Sequence, residues 1–341
     1  MATSPSPVRA LLDAIEEPAL LVGNQRIAAA NRAARELLGE RIESSDIRLA
    51  IRHPEALEHI LNGVPGKIAM VGLGDAERPW ELSVRPLADG MQLVRLTDRS
   101  AARAAERMRV DFVANASHEL RTPLATIIGY AETLSEAGNI DPAMRTRFGT
   151  TIHAEARRML RIVEDLMSLS RIEADRFVVP QDRVSLEEIA RIAAENGRPL
   201  AEARGCRIIV EAEPGLGPIA GDFAQLLQLT DNLVANAIRY GCGPKDCEVT
   251  IRAAHDRGGA VLAVRDTGEG IAPEHLPRLT ERFYRIDAAR SRDAGGTGLG
   301  LAIVKHIVER HRGSLEINST AGRGTEVVVR LAFAGDRQAL S

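Results

Sequence analysis

The strongest alternation of apolar and polar positions lies between residues 99 and 174. Read at about 100° per residue, Val113, Leu120, Leu124, Ile127, Ala131 and Leu134 gather on one stripe of a helix expected over 99–134. An Ala/Arg/Glu-rich segment leads into it. Pro123 falls inside the pattern and removes a backbone hydrogen bond, so a kink is expected there. After a break at 136–141, a second pattern over 142–174 puts Met144, Phe148, Ile152, Met159, Ile162, Val163, Leu166 and Leu169 on one broad face. Two such helices make a hairpin that cannot bury its own stripe. A homodimer with a four-helix bundle is the economical solution, and an ordinary coiled-coil dimer would explain the stripe equally well.

The flanks read differently. Residues 1–7 are a Pro/Ser-rich tail, with a short helix over 8–15. Two apolar runs, 19–22 and 27–30, flank Gly23-Asn24 as a hairpin, and Asn31 caps a helix over 32–38 that Gly39 closes. A helix over 54–61 and strands over 67–71, 80–86 and 91–98 follow. Beyond the hairpin, helices over 186–204, 222–240 and 298–311 interleave with strands over 207–211, 247–254, 259–266, 313–318 and 325–333, an α+β sandwich. The fold class is therefore α+β multidomain.

Composition narrows the function. A length of 341 residues suits two or three domains, and 45% hydrophobic residues can fill their cores. The 44 basic and 47 acidic residues leave a net charge of −3, so no long-range field recruits nucleic acid or an anionic membrane. The three cysteines, Cys206, Cys242 and Cys247, lack zinc-type spacing and suggest a reducing compartment, with Cys242 and Cys247 as solvated thiols around a Gly-Pro loop. No window approaches 18 consecutive apolar residues and no signal peptide opens the chain, so a soluble, cytoplasmic protein without a membrane span is expected.

On the first long helix His118 falls nearly opposite the apolar stripe and faces solvent. Asn115 and Thr122 share its polar face, Asp111 lies two turns back, and Glu119 is its neighbour in sequence. A lone solvent histidine is commonly decoration. The run Ser117-His118-Glu119-Leu120-Arg121-Thr122-Pro123-Leu124, however, resembles the phosphoacceptor box of sensor histidine kinases. That resemblance implies His118 as the nucleophile toward the γ-phosphate of ATP, and Glu119 as the base that takes the other ring proton. A histidine side chain titrates near about 6.5, so at neutral pH it keeps the lone pair this chemistry needs. Glu119 followed three positions later by Thr122 also accompanies, in the family, phosphatase activity toward the phosphorylated partner. Back-bonding of Thr122 to the preceding turn is the structural alternative.

The last third carries a matching set of motifs. Asn232 and Asn236 lie four apart on one helix face with Arg239 and Tyr240 one turn later, and the run 231–240 resembles the N box of the kinase's ATP-binding domain. The resemblance gives Asn236 and Asn232 a role in holding Mg²⁺, and Arg239, where lysine is frequent, a phosphate contact. Asp266-Thr267-Gly268-Glu269-Gly270 ends a strand, and by resemblance Asp266 reads the adenine amino group while Gly268 and Gly270 let the backbone approach the base. Tyr284 and Arg285 precede, and Gly296, Thr297, Gly298, Leu299 and Gly300 follow, a polar segment over 286–294 that reads as a lid. The glycine run enters a helix whose first amides favour phosphate. It lacks the Gly-Lys-Ser/Thr of a P-loop. With Gly322-Arg323-Gly324-Thr325 the set resembles the Bergerat-type ATP fold shared with gyrase and Hsp90.

The opening segment resembles a PAS sensor. No cysteine precedes Cys206, which removes covalent flavin chemistry, and with one tryptophan in the chain His53 and His59 read as surface residues rather than haem ligands. The resulting expectation is a PAS-like sensor over 1–98, a dimerising phosphotransfer hairpin over 99–178 and a Bergerat-type ATP-binding domain over 179–341, similar over 100–333 to the phosphate-regulon sensor group. Its cofactors would be ATP and Mg²⁺, its partners a second copy and a response regulator receiver domain. A non-catalytic dimeric adaptor, or a Bergerat ATPase without phosphotransfer, is the alternative.

Overall fold

A computed structural model describes residues 7–74, 77–136, 140–175, 177–241, 247–256, 258–287 and 296–334. Most of the expected lid, residues 288–294, lies outside these, as do Gly295 and Cys242. The chain divides into two compact units, 1–114 and 115–341.

In the first unit α1 (Pro7–Asp13) precedes the hairpin β1 (Ala19–Gly23) and β2 (Arg26–Ala30), then α2 (Arg32–Leu38), α3 (Ile47–Ala50) and α4 (Pro54–Asn62) lead to β3 (Gly66–Val71), β4 (Pro79–Pro86) and β5 (Gln92–Asp98). The strands form one antiparallel sheet in the order β2-β1-β5-β4-β3. Alternate strand residues Leu20, Ile68, Leu82 and Leu96 meet Ile47 and Ile60 of the helices, and Ile51 just beyond α3, in one core. Asn31 does more than the cap its sequence position announces. Its Oδ1 accepts from the amides of Ala34 and Ala19, both at 2.9 Å, and its Nδ2 donates to the carbonyls of Ile15 and Glu17, both at 2.8 Å. One buried amide thus ties the helix to the sheet with all its bonds satisfied. His53 caps α4 by accepting from Ala56 N–H at 3.4 Å.

The long helix α5 (Ser100–Glu136) contains Pro123, and α6 (Pro142–Ala174) follows it. In the second unit the single chain leaves the hairpin's apolar stripe open. Leu124, Met144 and Val163 of the stripe are exposed, as are their apolar neighbours Ile128 and Met167. Ile162, Leu169 and Ile172 are instead buried, on a helix that packs against α9 (Gly300–Arg310).

The rest of this unit is the expected sandwich. β7 (Cys206–Ala212), β9 (Cys247–Asp256), β10 (Gly259–Asp266), β11 (Ser314–Thr320) and β12 (Gly324–Ala332) form a sheet in the order β11-β12-β10-β9-β7. Only the β7–β9 pair is parallel. α8 (Phe223–Tyr240) packs between α7 (Leu186–Ala203) and α9, and against β9 and β10. A two-stranded ribbon of β6 (Asp182–Val184) and β8 (Ile219–Gly221) was not expected, because three-residue strands carry no readable alternation. α9 starts two residues later than expected. Gly298 sits at φ +75° there, and a Cβ at that position would lie 2.9 Å from the Phe283 backbone.

The cysteine expectation needs correction. Register places Cys206, which is a free thiol, opposite Cys247, and their sulfurs are 2.8 Å apart without a disulfide between them. Cys247 is buried and disulfide-bonded rather than a solvated thiol.

Candidate active site

Asp266 ends β10 and is only 7% exposed. Its Oδ1 accepts from the amides of Gly268 at 2.9 Å and Thr325 at 3.2 Å, which leaves Oδ2 open among the described residues. Three glycines close around it. A Cβ on Gly241 would run into the Asp266 carboxyl, one on Gly268 would meet the Gly241 backbone, and one on Gly324, at φ +94°, would strike the Asp266 carbonyl. Burial pushes the carboxyl's pKa up, against the pull of the two amides. A buried acceptor with one free oxygen, reached only through side-chain-free backbone, fits a flat ligand with an amine.

α8 is capped by Asp222, whose side chain accepts from Gln225 N–H at 3.1 Å. It carries Asn232 and Asn236 toward the start of α9. A Cβ on Gly300 would lie 3.4 Å from Asn232 Oδ1 and 3.8 Å from Asn236 Nδ2, so the two amides and the first residue of α9 share one spot. Among the described residues the buried Asn232 Nδ2 has no hydrogen-bond partner. A buried orphan amide is costly, and a polar ligand would satisfy it. Burial also lowers the pKa of Arg239, which lies in the field of Asp165. Tyr240 is exposed.

The remaining expected residues divide. The Phe283 amide donates to the Gly298 carbonyl at 2.8 Å, tying together the two ends of the segment that spans 288–295. Leu299 is fully buried, so its side chain belongs to the core and only its backbone can serve a ligand. Gly270, at φ +68°, lets its loop close on the Thr320 carbonyl. Tyr284 turns toward the 273–278 turn, where its hydroxyl lies 2.7 Å from His275 Nδ1 and Arg278 covers its ring at 4.3 Å.

His118 is exposed on α5, and Thr122 Oγ1 donates to the His118 carbonyl at 3.3 Å. Successive residues on a helix do not face one another, and Glu119 points instead toward α6. Its Oε2 accepts from Arg158 Nη2 at 2.9 Å and from Arg285 Nη2 at 3.1 Å. Arg285 Nη2 also donates to the Gly296 carbonyl at 2.8 Å. Thr297 Oγ1 donates to Asp165 Oδ2 at 2.7 Å, and Arg282 pairs with Glu173. Sequence reading did not select Arg158, Asp165 or Glu173. On an amphipathic helix charged positions read as a solvated face, and nothing local to α6 says otherwise.

Two family profiles match the chain. Residues 108–175 match the His Kinase A (phospho-acceptor) domain and residues 221–335 the histidine kinase-, DNA gyrase B- and HSP90-like ATPase domain. The chain belongs to the sensor histidine kinases. It is 41% identical over 243 residues to the phosphate regulon sensor protein PhoR of Pseudomonas aeruginosa, a match covering 71% of this chain and 54% of that protein. It is 37% identical over 233 residues to the sensor-like histidine kinase SenX3 of Mycolicibacterium smegmatis, covering 68% and 60%. The matched segments thus span little more than half the length of these curated relatives. A solved structure of the histidine kinase ThkA in complex with the response regulator protein TrrA shares the fold, with a TM-score of 0.52 at 15% identity over 94% of this chain and 97% of that one.

Proposed function

We propose that this chain is an ATP-dependent protein-histidine kinase that phosphorylates His118, passes the phosphoryl group to an aspartate of a response regulator receiver domain, and also dephosphorylates that partner. The observation that carries the reading is the pairing, in one compact unit, of an exposed His118 with a cradle built from Asp266, Asn232, Asn236 and the glycine-led start of α9. Asp266 Oδ2 would accept from the adenine amine, and the amides around Gly298 and Gly300, at the positive end of α9, would take the phosphates. The His118 imidazole supplies the attacking lone pair. Glu119 would draw off the other ring proton after leaving its arginines, a contribution of about 10²- to 10⁴-fold for such a base.

The amide oxygens of Asn236 and Asn232 suit a hard cation. Among the described residues no three His, Cys, Asp or Glu side chains cluster as a metal site, which accords with Mg²⁺ taking most of its ligands from phosphate and water. When bound, Mg²⁺ would neutralise charge on the phosphates. The exposed stripe on α5 and α6 supports a homodimer. Residues 1–98, whose five-stranded antiparallel sheet has α2, α3 and α4 between its second and third strands, would be the PAS-like sensor, 99–178 the phosphotransfer hairpin and 179–341 the ATP-binding domain. Among the described residues no helix is long and apolar enough to cross a membrane, in keeping with action in the cytoplasm.

The test is incubation with γ-labelled ATP. Acid-labile, base-stable label should appear on the chain and vanish in His118→Gln; label persisting at the same stoichiometry would move the acceptor elsewhere.

A further inference from the structure

Three acidic residues of the α5–α6 hairpin each engage a residue flanking the segment 288–295. Glu119 accepts from Arg285, Asp165 from Thr297, and Glu173 pairs with Arg282. Asp165 is the most telling, because its partner lies inside the glycine run. The Thr297 hydroxyl accepts from the Leu299 amide at 3.3 Å and donates to Asp165 Oδ2 at 2.7 Å, so it relays a donor at the head of α9 to a carboxylate. Arg239 and Arg161 are the cations in the field of that carboxylate, with Glu164 opposing them. Asp165 thus touches the hydroxyl directly, meets the helix-terminal amide only through that hydroxyl, and feels the guanidinium of Arg239 only as a field; hydroxyl, amide and guanidinium are the kinds of donor a phosphate uses.

We propose that Asp165 is a phosphate surrogate, a carboxylate that α6 places on the donors ATP requires, so that α6 and the nucleotide exclude one another. The inference rests on the nucleotide reading above. Two anions cannot share one set of donors in a half-buried site, since each would leave the other unpaired. Docking of α6 therefore reduces the fraction of molecules competent to bind, and apparent affinity falls by that fraction. Near Gly300, the first residue of α9, the buried Asn232 Nδ2 has no hydrogen-bond partner among the described residues, so the surrogate leaves that donor unmet. Asp165 acts here as a positioning residue. It sets when Thr297 and Arg239 are free.

The test is calorimetric titration of the full chain with a non-hydrolysable ATP analogue and Mg²⁺, using wild type, Asp165→Ala, Asp165→Asn and Asp266→Asn. Asp165→Ala should bind about tenfold more tightly, the scale of one charge-assisted hydrogen bond. Its KM for ATP in autophosphorylation should fall in parallel. Asp165→Asn keeps an acceptor but loses the charge, and should lie between. Asp165 variants that melt like wild type yet bind with unchanged or weaker affinity would overturn the proposal. Asp266→Asn separates the two readings. If it weakens binding while Asp165→Ala changes nothing, only the surrogate fails; if it binds like wild type, the nucleotide site itself is misplaced and the surrogate falls with it.

Discussion

Arg158 of α6 reaches across the helical hairpin to Glu119 of α5, Nη2 to Oε2 at 2.9 Å, with only 7% of the arginine exposed. A second ion pair, at 3.7 Å, ties the same guanidinium to Glu155. Arg158→Ala leaves Glu119 with Arg285 alone and removes a buried stem. It should destabilise the protein by about 2 kcal/mol, visible as a melting temperature several degrees lower. Arg158→Lys should recover less than half of that, because one ammonium cannot span two carboxylates as a guanidinium fork does. A melt identical to wild type for Arg158→Ala would make the pair energetically idle.

Thr122 bonds back to the His118 carbonyl, which is the structural use of a threonine one turn later. Thr122→Ala keeps His118 and Glu119. The variant should autophosphorylate within about twofold of wild type, since one exposed back-bond contributes little. Loss of the proposed phosphatase activity should show as slower decay of purified phospho-regulator with kinase and ADP. Equal decay rates for the two forms would confine Thr122 to its backbone bond.

Gly241 is required by space, not by backbone torsion: its φ of −89° suits any residue, but a Cβ would collide with the Asp266 carboxyl. Gly241→Ala should weaken nucleotide binding at least tenfold by displacing Asp266, and cost about 1–3 kcal/mol in overpacking. Denaturant midpoints together with calorimetric affinity check both parts. Wild-type affinity in a folded Gly241→Ala protein would remove Asp266 from base recognition.

His311 is buried at the end of α9. Its Nδ1–H donates to the Ile307 carbonyl at 2.8 Å and its Nε2 accepts from the Asp222 amide at 2.9 Å, an arrangement only the neutral ring can hold. Burial pushes its pKa below the ordinary 6.5, and burial does the same for His306. For groups depressed in the folded state, the stabilising contribution is complete above 6.5 and is lost as pH falls below it, because the unfolded chain binds protons first. Unfolding free energy should therefore decline from pH 7 toward pH 5. The decline should be shallower in His311→Gln, and equal slopes would show that the ring does not couple to folding.

Much of this protein was written in local pattern. The 3.6-residue period placed α5 and α6, Asn31 and Gly39 bracketed α2, and an apolar run ended by Asp266 located β10, because each depends on neighbours a few residues away. The same locality exposed the histidine box and the Asn232–Asn236 pair, where spacing alone sets a common helix face. Leu299 marks a limit of that locality: its side chain is buried, and a motif's letters do not say whether a side chain or its backbone is used.

What only the tertiary structure decided is which groups meet across long stretches of chain. Glu119 finds Arg158 at a separation of 39 residues and Arg285 at 166, and Thr297 finds Asp165 at 132. No periodicity spans such distances. Hydrophobic spacing specifies which face of α6 is apolar, but a charged side chain on that helix takes its meaning from whatever is packed over it. The packing of α6 on α9 moved Arg158 and Asp165 from a solvated face into the site.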